Sequence, residues 1–382
     1  MRLVQSYAAN KTVLEAARER ISWLFDLRAA GEISDIRVSI SGGKDSTVLA
    51  WLVLTEAKRR GEKVGVLFLD EEVMYESTIQ QVERIIAAFE EHIVLMWLQI
   101  PFQLTNATSV SDALLDCWEP GKHKLWMRPK REGAIKHKPW AQEKEKFRSG
   151  CARLDFYGVI ENFERCYKNV VSLVGLRAAG ESPNRWRAVT KNPITLGGKR
   201  VYWGSQRGEN FTAYPIFDWN FHDVWRFIHD EKVPYSKIYD MQFRKGYPIN
   251  QMRVSSLIHE KSFKSICDLP EFEPKTYERL CKRIKGIQLA QETGKAAKLF
   301  ACRKLPKNFK SWIAYRDFLL ETHQDTVRAP IFRERFARQM KNEYVARQQV
   351  RQLVLNDYEN NLPVDNAEDP RDALIRYYEE VL

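Results

Sequence analysis

A seven-residue stretch near the start of the chain has the composition of a phosphate-binding loop. It reads Ser41, Gly42, Gly43, Lys44, Asp45, Ser46 and Thr47. Two adjacent glycines let the main chain approach an anion closely, because no side chain intervenes. Lys44 adds a positive charge and three hydroxyl side chains add donors. The spacing is not that of a Walker A loop. The alternative is an ordinary Gly-Gly turn, capped by Asp45 or Ser46.

The segments on either side of this stretch explain how its donors would be aimed. A strand-like run, Ile36–Ile40, precedes it, and an apolar run, Val48–Leu54, follows as the first turns of a buried helix. Strand, glycine turn and helix in that order direct several main-chain N–H groups to one point, at the positive end of a helix dipole. The sequence therefore predicts a phosphate cradle.

Carboxylates follow the next predicted strand, residues 63–69, at Asp70, Glu71 and Glu72. Residues 77–91 then read as a helix and 93–100 as a third strand. Because alternating strands and helices favour a parallel sheet, these carboxylates should share the carboxyl edge with the cradle. One of them could hold Mg²⁺ against the phosphates. A solvated acidic turn is the alternative for two of the three.

A second cluster follows a predicted fourth strand, residues 170–176. Arg177 and Arg185 stand eight positions apart in the turn after it. Guanidinium groups bind phosphate or sulfate in a bidentate manner, so these arginines are candidate anion ligands. The alternative is a structural pairing with Glu181 or Asp70.

Residues 119–150 form a basic insertion that lacks an apolar period. Ten lysines and arginines over residues 122–148 are mixed with Trp126 and Trp140. Such a segment could close on a phosphorylated substrate or bind nucleic acid through phosphate contacts and stacking, or be a plain surface insertion. Cys151 follows it, and the flanking Arg148 and Arg153 would favour a reactive thiolate, although a lone cysteine is often buried and inert.

Composition narrows the class of protein. The chain has 382 residues, of which 44% are hydrophobic, and a formal net charge of +11. The basic balance attracts polyanions, either nucleic acid or phosphorylated small molecules. No run of 18 apolar residues predicts a membrane span, and the first residues lack the apolar core of a secretion signal. The six cysteines form no Cys-x-x-Cys pair, which favours a reduced, cytoplasmic protein.

The remaining pattern predicts the architecture. A helix over 12–30 should pack on the sheet, a fifth strand should cover 214–219, and a helix should follow over 221–229. Helical patterns dominate beyond residue 304 and end in a short helix over 373–382. We therefore expect an α/β fold with a doubly wound, mostly parallel five-stranded sheet. Its nucleotide-binding domain would span 1–250, and a helical C-terminal extension would span 251–382.

Together these segments resemble the phosphoadenosine phosphosulfate (PAPS) reductase family, within the adenine nucleotide α-hydrolase (pyrophosphate-loop) superfamily. The resemblance lies in residues 41–46, 70–76, 175–185, 215–219 and 233–240. The C-terminal part resembles an extension found on a bacterial branch named as immunoglobulin-binding regulators. That branch implies a ParB-like protein as a candidate partner, and a homo-oligomer is a further expectation.

Two departures from the family bear on the chemistry. The reductases end in Glu-Cys-Gly-Leu-His, which this chain lacks, and it also lacks the cysteine pairs that hold an iron–sulfur cluster, so no cluster is expected. The intact Ser-Gly-Gly-Lys-Asp-Ser loop is instead similar to that of relatives that use ATP. The resemblance then implies attack on the α-phosphorus of ATP, with the loop holding the leaving pyrophosphate.

The resemblance also implies roles for particular residues. Lys44, Asp45 and Arg177 would be catalytic, Asp45 and Asp70 would bind Mg²⁺, and the adenine of ATP or PAPS would lie near Leu69 and Asp70. Substrate contacts would come from Cys151, Arg153, Arg177, Glu181 and Arg185. Three functions stay open: an ATP pyrophosphatase or adenylyltransferase in sulfur or nucleic-acid modification, a thiol-dependent PAPS reductase, and a nucleotide-sensing regulator without turnover.

Overall fold

The computed structural model of the chain forms two compact units. The residues described are 11–109, 112–147, 153–179, 189, 193–254, 256–259, 263–288, 290–291, 305–360, 362 and 364–365. The first unit draws on residues 1–101, 120–146 and 159–256, and the second on residues 102–119, 147–158 and 257–382. The second unit thus takes two segments from before residue 250. The linear division into domains at that residue remains a prediction.

A six-stranded sheet forms the centre of the first unit, in the order β3-β2-β1-β6-β10-β9. Its strands are β1 (Asp35–Ser39), β2 (Val64–Leu69), β3 (Ile93–Leu98), β6 (Val170–Leu173), β9 (Gly204–Arg207) and β10 (Asn210–Ala213). Every neighbouring pair is parallel except β9 with β10. A separate antiparallel pair consists of β7 (Ile194–Leu196) and β8 (Lys199–Val201). The expected α/β fold with a mostly parallel sheet is confirmed.

The fifth parallel strand lies just before its predicted position. The prediction of a strand over 214–219 is wrong, because those residues form turns in which Phe217 N–H donates to Tyr214 C=O and Trp219 N–H to Ile216 C=O. The strand is β10, residues 210–213, and β9 adds an antiparallel edge. Pro215 has no N–H to give to a strand ladder, which favours the turn.

Helices cover both faces of this sheet. They are α1 (Val13–Ala29), α2 (Lys44–Arg60), α3 (Glu76–Ala88), α4 (Phe156–Glu164), α5 (Phe221–Asp230) and α6 (Ile238–Arg244). Ile36 and Val38 of β1 join the main core cluster with α1 and α2. The intervening Arg37 points to the opposite face, where its guanidinium lies 5.0 Å from the ring of Phe163 in α4. This alternation is what a doubly wound sheet requires.

The second unit combines a hairpin with helices. Strand β4 (Phe102–Thr105) pairs antiparallel with β5 (Leu114–Cys117). The helices are α7 (Phe263–Phe272), α8 (Pro274–Arg283), α9 (Trp312–Glu321), α10 (Ala329–Ala337) and α11 (Glu343–Val354). Phe332, Phe336, Leu353 and Tyr358 form a buried cluster there. The helical pattern predicted beyond residue 304 is confirmed up to Val354, and residues 373–382 lie outside the described part of the chain.

Candidate functional site

The glycine turn connects β1 to α2, as the sequence predicts. Gly42 has φ +72°, a left-handed conformation that glycine adopts without strain. A Cβ atom on Gly42 would stand 2.5 Å from Cγ2 and 2.9 Å from the carbonyl oxygen of Thr78 in α3. Both the conformation and the space therefore require glycine at this position.

Hydroxyl groups brace the turn from inside. Ser41 N–H donates to Ser46 Oγ over 3.1 Å, and Ser46 Oγ donates to the carbonyl of Gly43 over 3.0 Å. Gly43 is the N-cap residue of α2, and no side chain caps the helix there, contrary to an ordinary capped turn. Among the described residues, the N–H groups of Gly42, Gly43, Asp45 and Ser46 have no acceptor. The turn thus presents several open donors at a helix N-terminus, the arrangement that binds anions.

Asp45 lies between two buried cations at the start of α2. Arg177 Nε donates to Asp45 Oδ1 over 2.5 Å, and Lys44 Nζ donates to Asp45 Oδ2 over 3.3 Å. Lys44 is 7% exposed and Arg177 is 8% exposed. Lys44 Nζ also reaches the carbonyl of Met252 at 3.5 Å. The structure therefore brings together the three residues that the sequence predicts to be catalytic.

Gly175 brings the end of β6 against the same helix. A Cβ atom on Gly175 would stand 2.9 Å from both Cα and N of Ser46, and 3.0 Å from the carbonyl carbon of Asp45. These neighbours are backbone atoms, so they cannot move aside as a side chain would. The glycine therefore permits the close approach that carries Arg177, two residues later, to Asp45.

Tyr239 of α6 also contacts the turn, although the sequence does not predict this contact. Its hydroxyl accepts the N–H of Lys44 over 2.9 Å. Burial raises the pKa of the Tyr239 hydroxyl, and the negative charge of Asp45 raises it further, so the hydroxyl is neutral. Tyr239 belongs to one of the segments that carry the family resemblance, but a tyrosine on an apolar helix face gives no sequence signal of contact with a distant loop.

Asp70 stands at the end of β2, where it is fully buried. Its Oδ2 accepts Trp97 Nε1 at 3.0 Å and Gln99 Nε2 at 2.8 Å, while Oδ1 accepts the N–H of Glu72 at 3.0 Å and pairs with Arg128. Both carboxylate oxygens are therefore engaged by donors. A role in metal binding would require Asp70 to give up some of these contacts.

The basic insertion is attached along this edge of the sheet. Besides its pair with Asp70, Arg128 donates from Nη1 to the carbonyl of Glu72 at 2.8 Å. Ile135 pairs with β3: its N–H donates to Trp97 C=O and its C=O accepts Gln99 N–H. Half-burial and the nearby Lys136 lower the pKa of Lys130. Nothing in the amino-acid sequence separates Arg128 from the other basic residues of the insertion.

The remaining candidate residues lie in the second unit, outside the described residues or at the end of β2. Arg153 lies in the second unit, where its Nη1 donates to Asp116 Oδ2 over 2.9 Å. Cys151, Glu181 and Arg185 lie outside the described residues. Leu69 is buried at the end of β2. No helix in the described part of the chain is long and apolar enough to cross a membrane.

The residues of the turn fit Mg²⁺ only in part. Within the described ranges, no group of three or more His, Cys, Asp or Glu side chains could hold a metal by itself. Mg²⁺ commonly takes one or two carboxylates and completes its shell with phosphate oxygens and waters. Asp45, whose side chain is 27% exposed, suits that arrangement, whereas Asp70 is already saturated with donors.

A mostly parallel sheet with helices on both faces, whose first strand turns through Gly-Gly into a helix, defines a doubly wound α/β protein. The chain belongs to the phosphoadenosine phosphosulfate reductase domain family, whose model matches residues 35–271. A second model, a domain of unknown function (DUF3440), matches residues 246–365. The resemblance seen in the sequence is thereby confirmed.

Similar proteins come from bacteria, archaea and yeast. The uncharacterised protein YbdN of Escherichia coli (strain K12) is 26% identical over 282 residues, 72% of this chain and 66% of that protein. The uncharacterised protein MJ0066 of Methanocaldococcus jannaschii is 29% identical over 54% of this chain and 34% of its own length. The chain therefore spans less than two thirds of these relatives.

Among solved structures, PAPS reductase from Candida auris in a phosphate complex shows 16% identity. It covers 63% of this chain and 93% of its own, with a TM-score of 0.34, a likeness too low to bear on function.

Proposed function

We propose that this protein binds ATP at the turn Ser41–Thr47 and cleaves it between the α- and β-phosphates, transferring the adenylyl group to an acceptor. The observation that carries the proposal is the set of open N–H donors at the start of α2, beside Lys44. Main-chain donors at a helix N-terminus stabilise the charge of a leaving pyrophosphate.

The chemistry is an in-line displacement at phosphorus. The acceptor attacks the α-phosphorus, a bond forms between them, and the bond from the α-phosphorus to the bridging oxygen breaks. Pyrophosphate leaves with the electron pair of that bond, and the N–H groups of Gly42 and Gly43 hold its charge. Lys44 and Arg177 supply positive charge near the reacting centre. Such a step depends on positioning and charge stabilisation, so it needs no nucleophilic cysteine.

Asp45 would hold Mg²⁺ that arrives with the phosphates. This ion would neutralise charge on the β- and γ-phosphates. Asp45 presently balances Lys44 and Arg177, so these two cations become available to phosphate oxygens once Asp45 turns to the metal. Asp70 is left out of this proposal because its oxygens already accept four donors.

Two cysteines in the described part of the chain, Cys166 and Cys281, give no support to a thiol-dependent reaction. Burial raises the pKa of Cys166 and of Cys281, and a raised pKa lowers the thiolate fraction that would attack. Cys166 Sγ lies 3.5 Å from the carbonyl of Asn162, which accepts from the thiol.

A nucleic acid is the acceptor class that the basic insertion would suit. Lys124, Lys136, Lys144 and Lys146 are exposed, and none has an ion-pair partner among the described residues. Exposed cations without partners bind phosphates by releasing counterions. Replacing these four lysines by Gln should weaken single-stranded nucleic-acid binding and reduce the slope of log K against log salt by about 0.7 per lost contact.

The experiment that tests the main reaction identifies every nucleotide product by mass. The protein is incubated with Mg²⁺ and either ATP or PAPS, with and without single-stranded nucleic acid. AMP or an adenylylated acceptor, formed together with pyrophosphate, would support the proposal. Lys44→Ala and Asp45→Ala should abolish the product, whereas Lys58→Ala, an exposed lysine at the other end of α2, should not. Sulfite release from PAPS, or binding of ATP without any product, would contradict it.

A further inference from the structure

Tyr239 occupies one donor of the turn that a phosphate would otherwise use. Its hydroxyl accepts the N–H of Lys44 at 2.9 Å, in the middle of a run of N–H groups that have no acceptor among the described residues. The tyrosine is 2% exposed, so water does not compete freely for this contact. A neutral protein hydroxyl therefore stands where the helix N-terminus favours an anion.

Residues that follow Tyr239 in the chain also lie close to Gly43 and Lys44. Lys44 Nζ lies 3.5 Å from the carbonyl of Met252. A Cβ atom built on Gly43 would stand 3.7 Å from both the Tyr239 hydroxyl and Val254 Cγ2. Three residues between 239 and 254 thus lie against Gly43 and Lys44.

We propose that Tyr239 controls access to the turn, and that its hydroxyl is displaced from the Lys44 N–H when a polyphosphate binds. The inference rests on the proposed function, since it takes the turn to be the phosphate site. A charged phosphate oxygen forms roughly twice as strong a hydrogen bond as a neutral acceptor, which favours the exchange. The affinity for ATP then includes the cost of moving Tyr239, and this residue sets how selective the turn is for strongly charged ligands.

The test compares Tyr239→Phe with the native protein by calorimetric titration of pyrophosphate and of ATP with Mg²⁺. Phenylalanine keeps the buried ring and removes the competing oxygen. Because a hydrogen bond of this kind contributes about 0.5–1.5 kcal/mol net, the variant should bind roughly 2- to 12-fold more tightly. Tyr235→Phe is the matched control: its hydroxyl donates to Asp240 Oδ1 at 2.9 Å rather than to the turn, so its affinities should stay at the native value.

A spectroscopic readout reports the displacement itself. Trp225 packs edge-on against Tyr239, with ring centroids 5.2 Å apart. Pyrophosphate should therefore change the tryptophan fluorescence of the native protein, and Trp225→Phe should remove that change while pyrophosphate still binds.

The possible results separate this inference from the function on which it rests. Equal or weaker binding by Tyr239→Phe overturns the inference, and so does an unchanged Trp225 signal at saturating ligand. If either result appears while native protein still converts ATP to pyrophosphate with AMP or an adenylylated acceptor, and Lys44→Ala does not, the proposed function stands alone. If native protein binds neither pyrophosphate nor ATP, both fall.

Discussion

The contact between Gly175 and the first turn of α2 gives the sharpest test of how this site is built. Gly175→Ala adds one methyl group whose carbon would stand 2.9 Å from the Ser46 nitrogen, a distance that real Cβ contacts do not show. Since the neighbours are backbone atoms of a buried helix, the helix start and the end of β6 must move apart. That movement disturbs the N–H group of Ser46 and the position of Arg177 together.

The size of the effect follows from the same geometry. Overpacking of this kind costs about 1–3 kcal/mol of folding stability. An N–H bond to a charged phosphate contributes about 1.5–3 kcal/mol, so loss of alignment at Ser46 should weaken pyrophosphate binding about 10- to 160-fold. Gly65→Ala in β2 is the matched control. Its Cβ would meet Cγ of Arg37 at 3.2 Å and Cε of Met96 at 3.4 Å, so its nearest neighbours are more distant than those of Gly175 and belong to side chains rather than to the backbone.

The measurements are urea unfolding for stability and calorimetry for pyrophosphate binding, carried out on both variants. Gly175→Ala should lose both stability and affinity, while Gly65→Ala should stay within about 1 kcal/mol of the native stability and keep its affinity. Equal losses in the two variants would refute the reasoning. So would native pyrophosphate affinity in Gly175→Ala, because the Ser46 N–H could then not be a ligand.

Two further predictions concern buried charges. Asp70→Asn removes the buried carboxylate charge with which Arg128 pairs, at a cost of about 3–5 kcal/mol, so hydrogen exchange over residues 128–135 should accelerate. Glu83→Gln alters the more exposed pair with Arg131 and should leave that segment protected, and equal exchange in both variants would contradict this. Burial raises the pKa of Glu164, so its contribution to stability is present at acidic pH and is lost as pH rises past about 4.3 and through the raised value. Glu164→Gln should therefore unfold less readily than native protein at pH 7 and show a flatter stability profile above pH 4, and a profile that parallels the native one would count against this account.

The strand, turn and helix that form the site could be predicted from the sequence because residues close together in the chain determine them. Two glycines, a hydroxyl-rich turn and the apolar runs around it specify strand, turn and helix without any knowledge of distant residues. The strand at 214–219 was mispredicted because apolar aromatic residues beside Pro215 look alike in a strand and in a buried turn. Contacts over long sequence separation, such as Tyr239 with Lys44, leave no periodic trace.

The position of Asp70 at the end of a strand predicts the edge of the sheet on which it lies, but not its hydrogen-bond partners. The carboxyl edge of a parallel sheet does place Asp70 and the turn on the same side, but it does not state which groups saturate the carboxylate. That depends on Trp97, Gln99 and Arg128, which arrive from a third strand and from the insertion.

Asp45 differs in that its two partners are themselves cations suited to phosphate. A polyphosphate that binds at the turn would pair with Lys44 and Arg177, which now pair with Asp45. The Asp45 carboxylate would then require another cation to balance its charge. On the proposed function, nucleotide affinity should therefore depend on Mg²⁺ through Asp45, and Asp45→Asn should lessen that dependence, whereas Asp70→Asn should not.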